Sequence, residues 1–207
     1  MNIICKNEIS LLINKIISNQ IIRGYYYSFI FEVITNEKSW NINNYTNLLI
    51  KGINNITIKF NKPLNTCEGM FNDFHNILYI DFSNFISSNI KSMYRMFYGC
   101  MYLTSLNLDN FDTSSVTNMG FSFHYCRSLR NLNLRNFNTS SITNMAYMFS
   151  CFDYLIDVDL SNFDTSSVTD MRYMFQFTKN YRLNIKNFIT SSVQNMEGIF
   201  NCCYNLH

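Results

Sequence analysis

Seven cysteines, three histidines and a recurring Ser-Thr tract are the residues of this 207-residue chain with the most obvious capacity for chemistry, and their placement decides what that chemistry could be. Zinc would need cysteines and histidines a few residues apart. No such grouping occurs, and the adjacent Cys202 and Cys203 do not supply it. Cys100, Cys126 and Cys203 instead share one place in a repeat described below, which favours a ladder of buried thiols over disulfides between stacked units, and both over a metal. His75, His124 and His207 occupy unrelated places, so nothing aligns a base with a nucleophile. Ser115 recurs once per repeat, the pattern of a structural turn rather than of a hydrolytic serine. A glycine-rich phosphate loop is also missing. The expectation is a protein that is not an enzyme, with no catalytic, cofactor-binding or metal-ligating residues.

Composition narrows the partners. A net charge of +2, with Lys and Arg scattered singly, offers no tract to follow a nucleic-acid backbone. The apolar stretches are broken by charged residues and asparagines, so no transmembrane segment is expected. Lys6 and Glu8 interrupt the place where a secretory signal would need an apolar run, and no export signal is expected from residues 1–10.

The elements that position these residues follow from self-similarity. Asn-Phe recurs at Asn84-Phe85, Asn110-Phe111, Asn136-Phe137, Asn162-Phe163 and Asn187-Phe188, in steps of 26, 26, 26 and 25 residues. A second marker keeps the same step: Met70-Phe71, Met96-Phe97, Ser122-Phe123, Met148-Phe149, Met174-Phe175 and Ile199-Phe200. Within the unit Leu103 to Cys126, Leu106 and Leu108 alternate with Asn107 and Asp109, the period of a short strand. Val116, Met119 and Phe123 then follow at three and four, the period of a helical face. Between them, Asp112, Thr113, Ser114 and Ser115 supply oxygens suited to a turn and a helix N-cap.

One such unit encloses too little apolar surface to fold alone, so the units must stack. The expected fold is an α/β solenoid, a leucine-rich-repeat-like right-handed coil of about 26 residues per repeat, with a parallel sheet on one side and short helices on the other. Residues 1–57 read as a β-rich N-terminal cap, carried by Tyr25–Ile34 and Asn47–Ile53, or alternatively as a small independent domain. Residues 58–207 read as the array of about six units, its first unit degenerate, with Cys67 where later units carry Met. Leu206 stands where a further strand would start, which suggests an uncapped or truncated end open to self-association.

The recurring pattern LxxLxLxNFDTSSVTNMxxMFxxC resembles the BspA-like leucine-rich-repeat family of surface proteins, over about residues 58–207. Local departures are Cys67 and Ser122 in place of Met, Thr178 in place of Cys, and one residue fewer between Tyr181 and Leu183. The resemblance implies an extracellular or surface-anchored array used in adhesion or protein binding.

Binding is expected where the pattern is loose. The outward strand positions Asp81, Asn107, Asp109, Asn133, Arg135, Asp159, Asn184 and Lys186 form a mixed polar strip, the candidate partner-binding face. A second candidate is the aromatic series Phe121, Tyr147 and Tyr173, with Arg95 in the preceding unit. The Asn of each Asn-Phe pair reads as structural, its amide satisfying backbone groups where the strand turns away. The partner is expected to be a protein or surface ligand, with no cofactor; an intracellular or self-assembling scaffold is the alternative.

Overall fold

A computed structural model describes residues 7–15, 28–35, 38–40, 52–154, 157–178 and 182–204. Residues 1–6, Tyr25–Tyr27 of the run Tyr25–Ile34, Asn47–Lys51 of the run Asn47–Ile53, Tyr181, Leu206 and His207 lie outside the described residues, and with them part of the expected cap and the expected final strand.

Eight strands are found among the described residues: β1 (Glu8–Lys15), β2 (Ile30–Thr35), β3 (Lys38–Trp40), β4 (Gly52–Phe60), β5 (Ile77–Asp81), β6 (Ser105–Asn107), β7 (Asp157–Val158) and β8 (Arg182–Leu183). Six of them form one sheet in the order β3-β2-β4-β1-β5-β6, while β7 and β8 pair separately. β1 lies antiparallel to both β4 and β5, and only the β5–β6 and β7–β8 pairs are parallel. The N-terminal strands are therefore hydrogen-bonded directly onto the first repeat. The alternation along β1 and β4 buries Ile9, Leu11, Ile13, Ile56, Ile58 and Phe60 in the same core as Phe71, Phe82 and Phe97.

The expected α/β solenoid is corrected at this point. Among the described residues there is no α-helix, and the parallel sheet expected along the whole array is reduced to two short pairs plus single bridges linking Ser92, Asn118, Asn144, Asp170 and Asn195. The stretch read as a helical face is a run of overlapping turns. In the unit of Met119, Ser122 N–H donates to Met119 O, His124 N–H to Phe121 O and Cys126 N–H to Phe123 O, each a three-residue step. The intervening N–H groups leave the unit: Met119, Phe121, Phe123 and Tyr125 donate to Asn144 O, Ala146 O, Met148 O and Ser150 O, at 2.8–3.2 Å.

Backbone geometry explains why no helix forms. Gly69, Arg95, Phe121, Tyr147, Tyr173 and Gly198 hold one equivalent position, and all have φ between 54° and 60°. Four residues on, Asp73, Gly99, Tyr125, Cys151, Phe177 and Cys202 hold another, again with positive φ. A left-handed residue cannot continue a right-handed helix, and two per unit close the chain into turns. The 3-and-4 spacing of Val116, Met119 and Phe123 still buries all three, but on the inside of a turn ladder.

Each seam between units is closed in the same manner. Phe71, Phe97, Phe123, Phe149, Phe175 and Phe200 stack ring over ring, with centroids 5.5–6.0 Å apart. Thr113, Thr139 and Thr165, all essentially without solvent exposure, each bridge to the next unit: the Thr139 hydroxyl donates to Asp164 O at 3.0 Å and accepts from Asp164 N–H at 2.8 Å. The amides of Asn110, Asn136, Asn162 and Asn187 reach back to Ser83 O, Asp109 O, Arg135 O and Ser161 O at 2.9–3.1 Å. These threonine and asparagine side chains are thereby paired within the stack, as buried polar groups require. No helix of the described residues is long and apolar enough to cross a membrane.

Candidate functional site

The polar strip is built by the strand ends. Asp81 closes β5 and Asn107 closes β6, and the two residues sit opposite each other in the parallel ladder. Each uses its side chain first to hold its own turn: Asp81 accepts from Ser83 N–H at 2.9 Å, Asn107 from Asp109 N–H at 3.1 Å, Asn133 from Arg135 N–H at 3.3 Å, and Asp159 from Ser161 N–H at 3.0 Å. Such Asx turns are why Asn and Asp occupy these places.

The remaining capacity links the units. Asn107 Nδ2 donates to Asp81 Oδ1 at 2.8 Å and Asn133 Nδ2 to Asp109 Oδ1 at 2.8 Å, while Arg135 Nε lies 3.3 Å from Asp159 Oδ2. Six of the eight strip residues thus form a staircase of bonds over four units. Asn184 and Lys186 lie exposed in the following unit, beyond its last link among the described residues. Hydrogen bonding by Ser161, with the neighbouring Arg135 charge, draws the Asp159 carboxyl below its ordinary range. The Arg135–Asp159 pair is well exposed and contributes little to stability.

Sequence reasoning missed what adjoins the strip. On the outer face of the large sheet, Ser10, Leu12, Asn55, Thr57 and Tyr79 line a shallow groove of about 320 Å³. Ser10 pairs with Asp81 and Leu12 with Tyr79 across the β1–β5 ladder, so the groove opens directly onto the first step of the staircase. Burial, together with the neighbouring Asp81 carboxylate, raises the Tyr79 phenol pKa. The alternation of Ser10, Leu12 and of Asn55, Thr57 was a legible signal for one solvent face, but their meeting depends on antiparallel pairing over some 70 residues.

The aromatic series is also brought together. Phe121, Tyr147 and Tyr173 stack at 4.4 and 4.9 Å, and the Arg95 guanidinium sits 5.2–5.3 Å from the rings of Tyr94, Tyr98 and Phe121. Their faces cover one another and Tyr173 lies against Gly198, which leaves edges rather than faces at the surface. The same cluster encloses His124, 7% exposed, with ring centroids of Tyr98, Phe121, Tyr125 and Tyr147 at 4.4–5.7 Å. Its Nδ1 has no hydrogen-bond partner among the described residues, and burial, reinforced by Arg95, lowers its pKa to about 4.

Cys67, Cys100, Cys126, Cys151, Cys202 and Cys203 stand as free thiols. Cys100 and Cys126 donate to Phe71 O and Phe97 O at 3.2 Å, and burial raises both thiol pKa values, which keeps the groups protonated and unreactive. Thr178 makes the equivalent bond to Phe149 O at 3.1 Å, which accounts for its standing in for Cys. Ser122, standing in for Met, donates within the core to Met93 O or Met119 O, each 2.8 Å away. Among the described residues no three His, Cys, Asp or Glu side chains are grouped to hold a metal ion.

Comparison with known proteins gives one match: a family described as "Mycoplasma protein of unknown function, DUF285" covers residues 65–155 and 151–207, well over half of the chain. No curated protein and no solved structure matches.

Proposed function

We propose, for a chain that belongs to the DUF285 family of Mycoplasma proteins of unknown function, a non-enzymatic role: recognition of a protein or surface ligand along the polar strip and the groove beside it. The observation that carries this reading is the bonded staircase from Asp81 to Asp159. Side chains held by their own turns and by one another lose little freedom when a partner arrives, which favours affinity from a flat surface. The groove of Ser10, Leu12 and Tyr79 adds apolar contact at one end of the strip. Resemblance to the BspA-like surface proteins supports an adhesive use of this face.

Binding to a ligand captured from host-cell surface extract, measured with purified partner, tests the proposal. The triple variant Asn107→Ala, Asn133→Ala, Arg135→Ala should weaken binding by roughly tenfold or more, the scale of one lost interface anchor. Full affinity in that variant, with an unchanged circular dichroism spectrum, would refute the reading.

A further inference from the structure

Two cross-strand rows floor the groove on the outer face of the large sheet. Alternation along β1 and β4 turns Ile9, Leu11, Ile56 and Ile58 into the core and leaves Ser10, Leu12, Asn55 and Thr57 outside. Register sets Thr57, Ser10, Asp81 and Asn107 side by side across β4, β1, β5 and β6, a run of roughly 14 Å at the usual strand spacing. The neighbouring row is Asn55, Leu12 and Tyr79. The register shifts after Leu12, and an irregularity of this kind bends a strand beside the groove.

The two rows differ in chemistry. Thr57, Ser10 and Asn107 can both donate and accept hydrogen bonds, and Asp81 accepts. The Ser10 and Thr57 hydroxyls face each other across the β1–β4 ladder and have no hydrogen-bond partner among the described residues. The second row offers Leu12 and the Tyr79 ring as an apolar patch, ended by the Asn55 amide. No residue lining the groove is charged. The described charges at its border are mainly acidic: Asp81 closes the first row, and Glu32 and Glu8 flank Lys59 in the row beyond Ser10. Lys59 Nζ lies 2.6 Å from Glu32 Oε2, so the one base at this border is already paired. An anionic ligand finds no counter-charge here, whereas a neutral ligand finds open hydroxyls.

We infer that this groove takes a neutral saccharide chain, its hydroxyls on the row of Thr57, Ser10, Asp81 and Asn107 and the apolar face of a sugar ring against Leu12 and Tyr79. Sugar hydroxyls donate and accept as Ser and Thr do, and the C–H face of a pyranose ring is apolar, so one sugar answers to both rows. A volume of about 320 Å³ is the scale of a small-molecule site. It is too small to seat a folded protein, whose interface takes about 800 Å² on each partner. The inference rests on the reading of strip and groove as a recognition face, and it gives the ligand of that face a chemical class.

Binding of the full chain to an immobilised panel of neutral oligosaccharides of hexose and N-acetylhexosamine, with their sialylated counterparts, is the test. At least one neutral member should bind, and more tightly than its sialylated form. The double variant Ser10→Ala, Thr57→Ala and, separately, Tyr79→Ser should each weaken that binding by about tenfold, the scale of one or two lost contacts. Both change solvent-facing side chains, and an unchanged circular dichroism spectrum verifies the fold. Preference for the sialylated members, or parental binding by both variants, would overturn the inference. So would a lack of binding to every member; the recognition reading is then judged separately, by the Asn107, Asn133, Arg135 variant against the captured ligand.

Discussion

Replacing Thr139 by Val removes one hydroxyl and keeps the shape of the side chain, which isolates the polar part of a seam. That hydroxyl satisfies two backbone groups of Asp164, the C=O at 3.0 Å and the N–H at 2.8 Å, from a side chain only 1% exposed. A buried donor or acceptor stranded without its partner costs about 1–3 kcal/mol. Asp164 is half-buried, so water recovers part of the loss at one or both groups. The expected destabilisation is about 2 kcal/mol, a factor of roughly 30 in the folding equilibrium. In urea the midpoint should fall by about 1 M at constant slope, if the slope lies near the 2 kcal/mol/M common for small proteins. Thr139→Ser retains the hydroxyl and should lose less than half as much. Thr139→Val at parental stability would mean that the hydroxyl does not join the two units, and the account of the seam would fail with it.

His124 makes stability depend on pH. Its folded pKa, about 4, lies below the ordinary 6.5, so the folded state binds fewer protons than the unfolded state between those values. Stability is full above pH 6.5 and declines as pH falls toward 4, by up to about 3 kcal/mol; His124→Phe should flatten urea midpoints over that window, and an unchanged slope would contradict the burial. Gly198→Ala should cost more than Gly69→Ala. Both have left-handed φ, worth about 1–2 kcal/mol to an added Cβ, but a Cβ at Gly198 would stand 2.3 Å from the Tyr173 ring, against 3.8 Å to the nearest atom at Gly69. Equal thermal-melt shifts for the two would count against the packing of Tyr173 over that glycine.

The period of the fold was legible in the sequence, and the local conformation was not. The Met-Phe and Asn-Phe markers locate equivalent side chains that the structure does bring together, as the stack from Phe71 to Phe200 shows. Val116, Met119 and Phe123 misled because a 3-and-4 spacing needs only a chain that turns once every three or four residues, whether or not its hydrogen bonds stay local. The discriminating signal lay in three of the six glycines. Gly69 and Gly198 share a place with Arg95, Phe121, Tyr147 and Tyr173, and Gly99 shares one with Tyr125 and Cys151. Glycine recurring at fixed repeat positions marks left-handed backbone, even where other units fill the place with bulky residues. The tract Asp112–Ser115, read as a turn and helix N-cap, uses Asp112 to bond Ser114 N–H in an Asx turn, as Asn138 bonds Ser140 N–H one unit on, the same chemistry serving a different backbone. Six strip residues meet as their spacing suggested, whereas the groove beside Asp81 depends on long-range pairing of β1 that periodicity does not encode.

Because every junction uses the same donors, acceptors and rings, the gene for such a chain can gain or lose a whole module without inventing a new joint. Tandem duplication then lengthens the molecule while leaving the energetics of existing joints nearly untouched, since each module answers only to its neighbours.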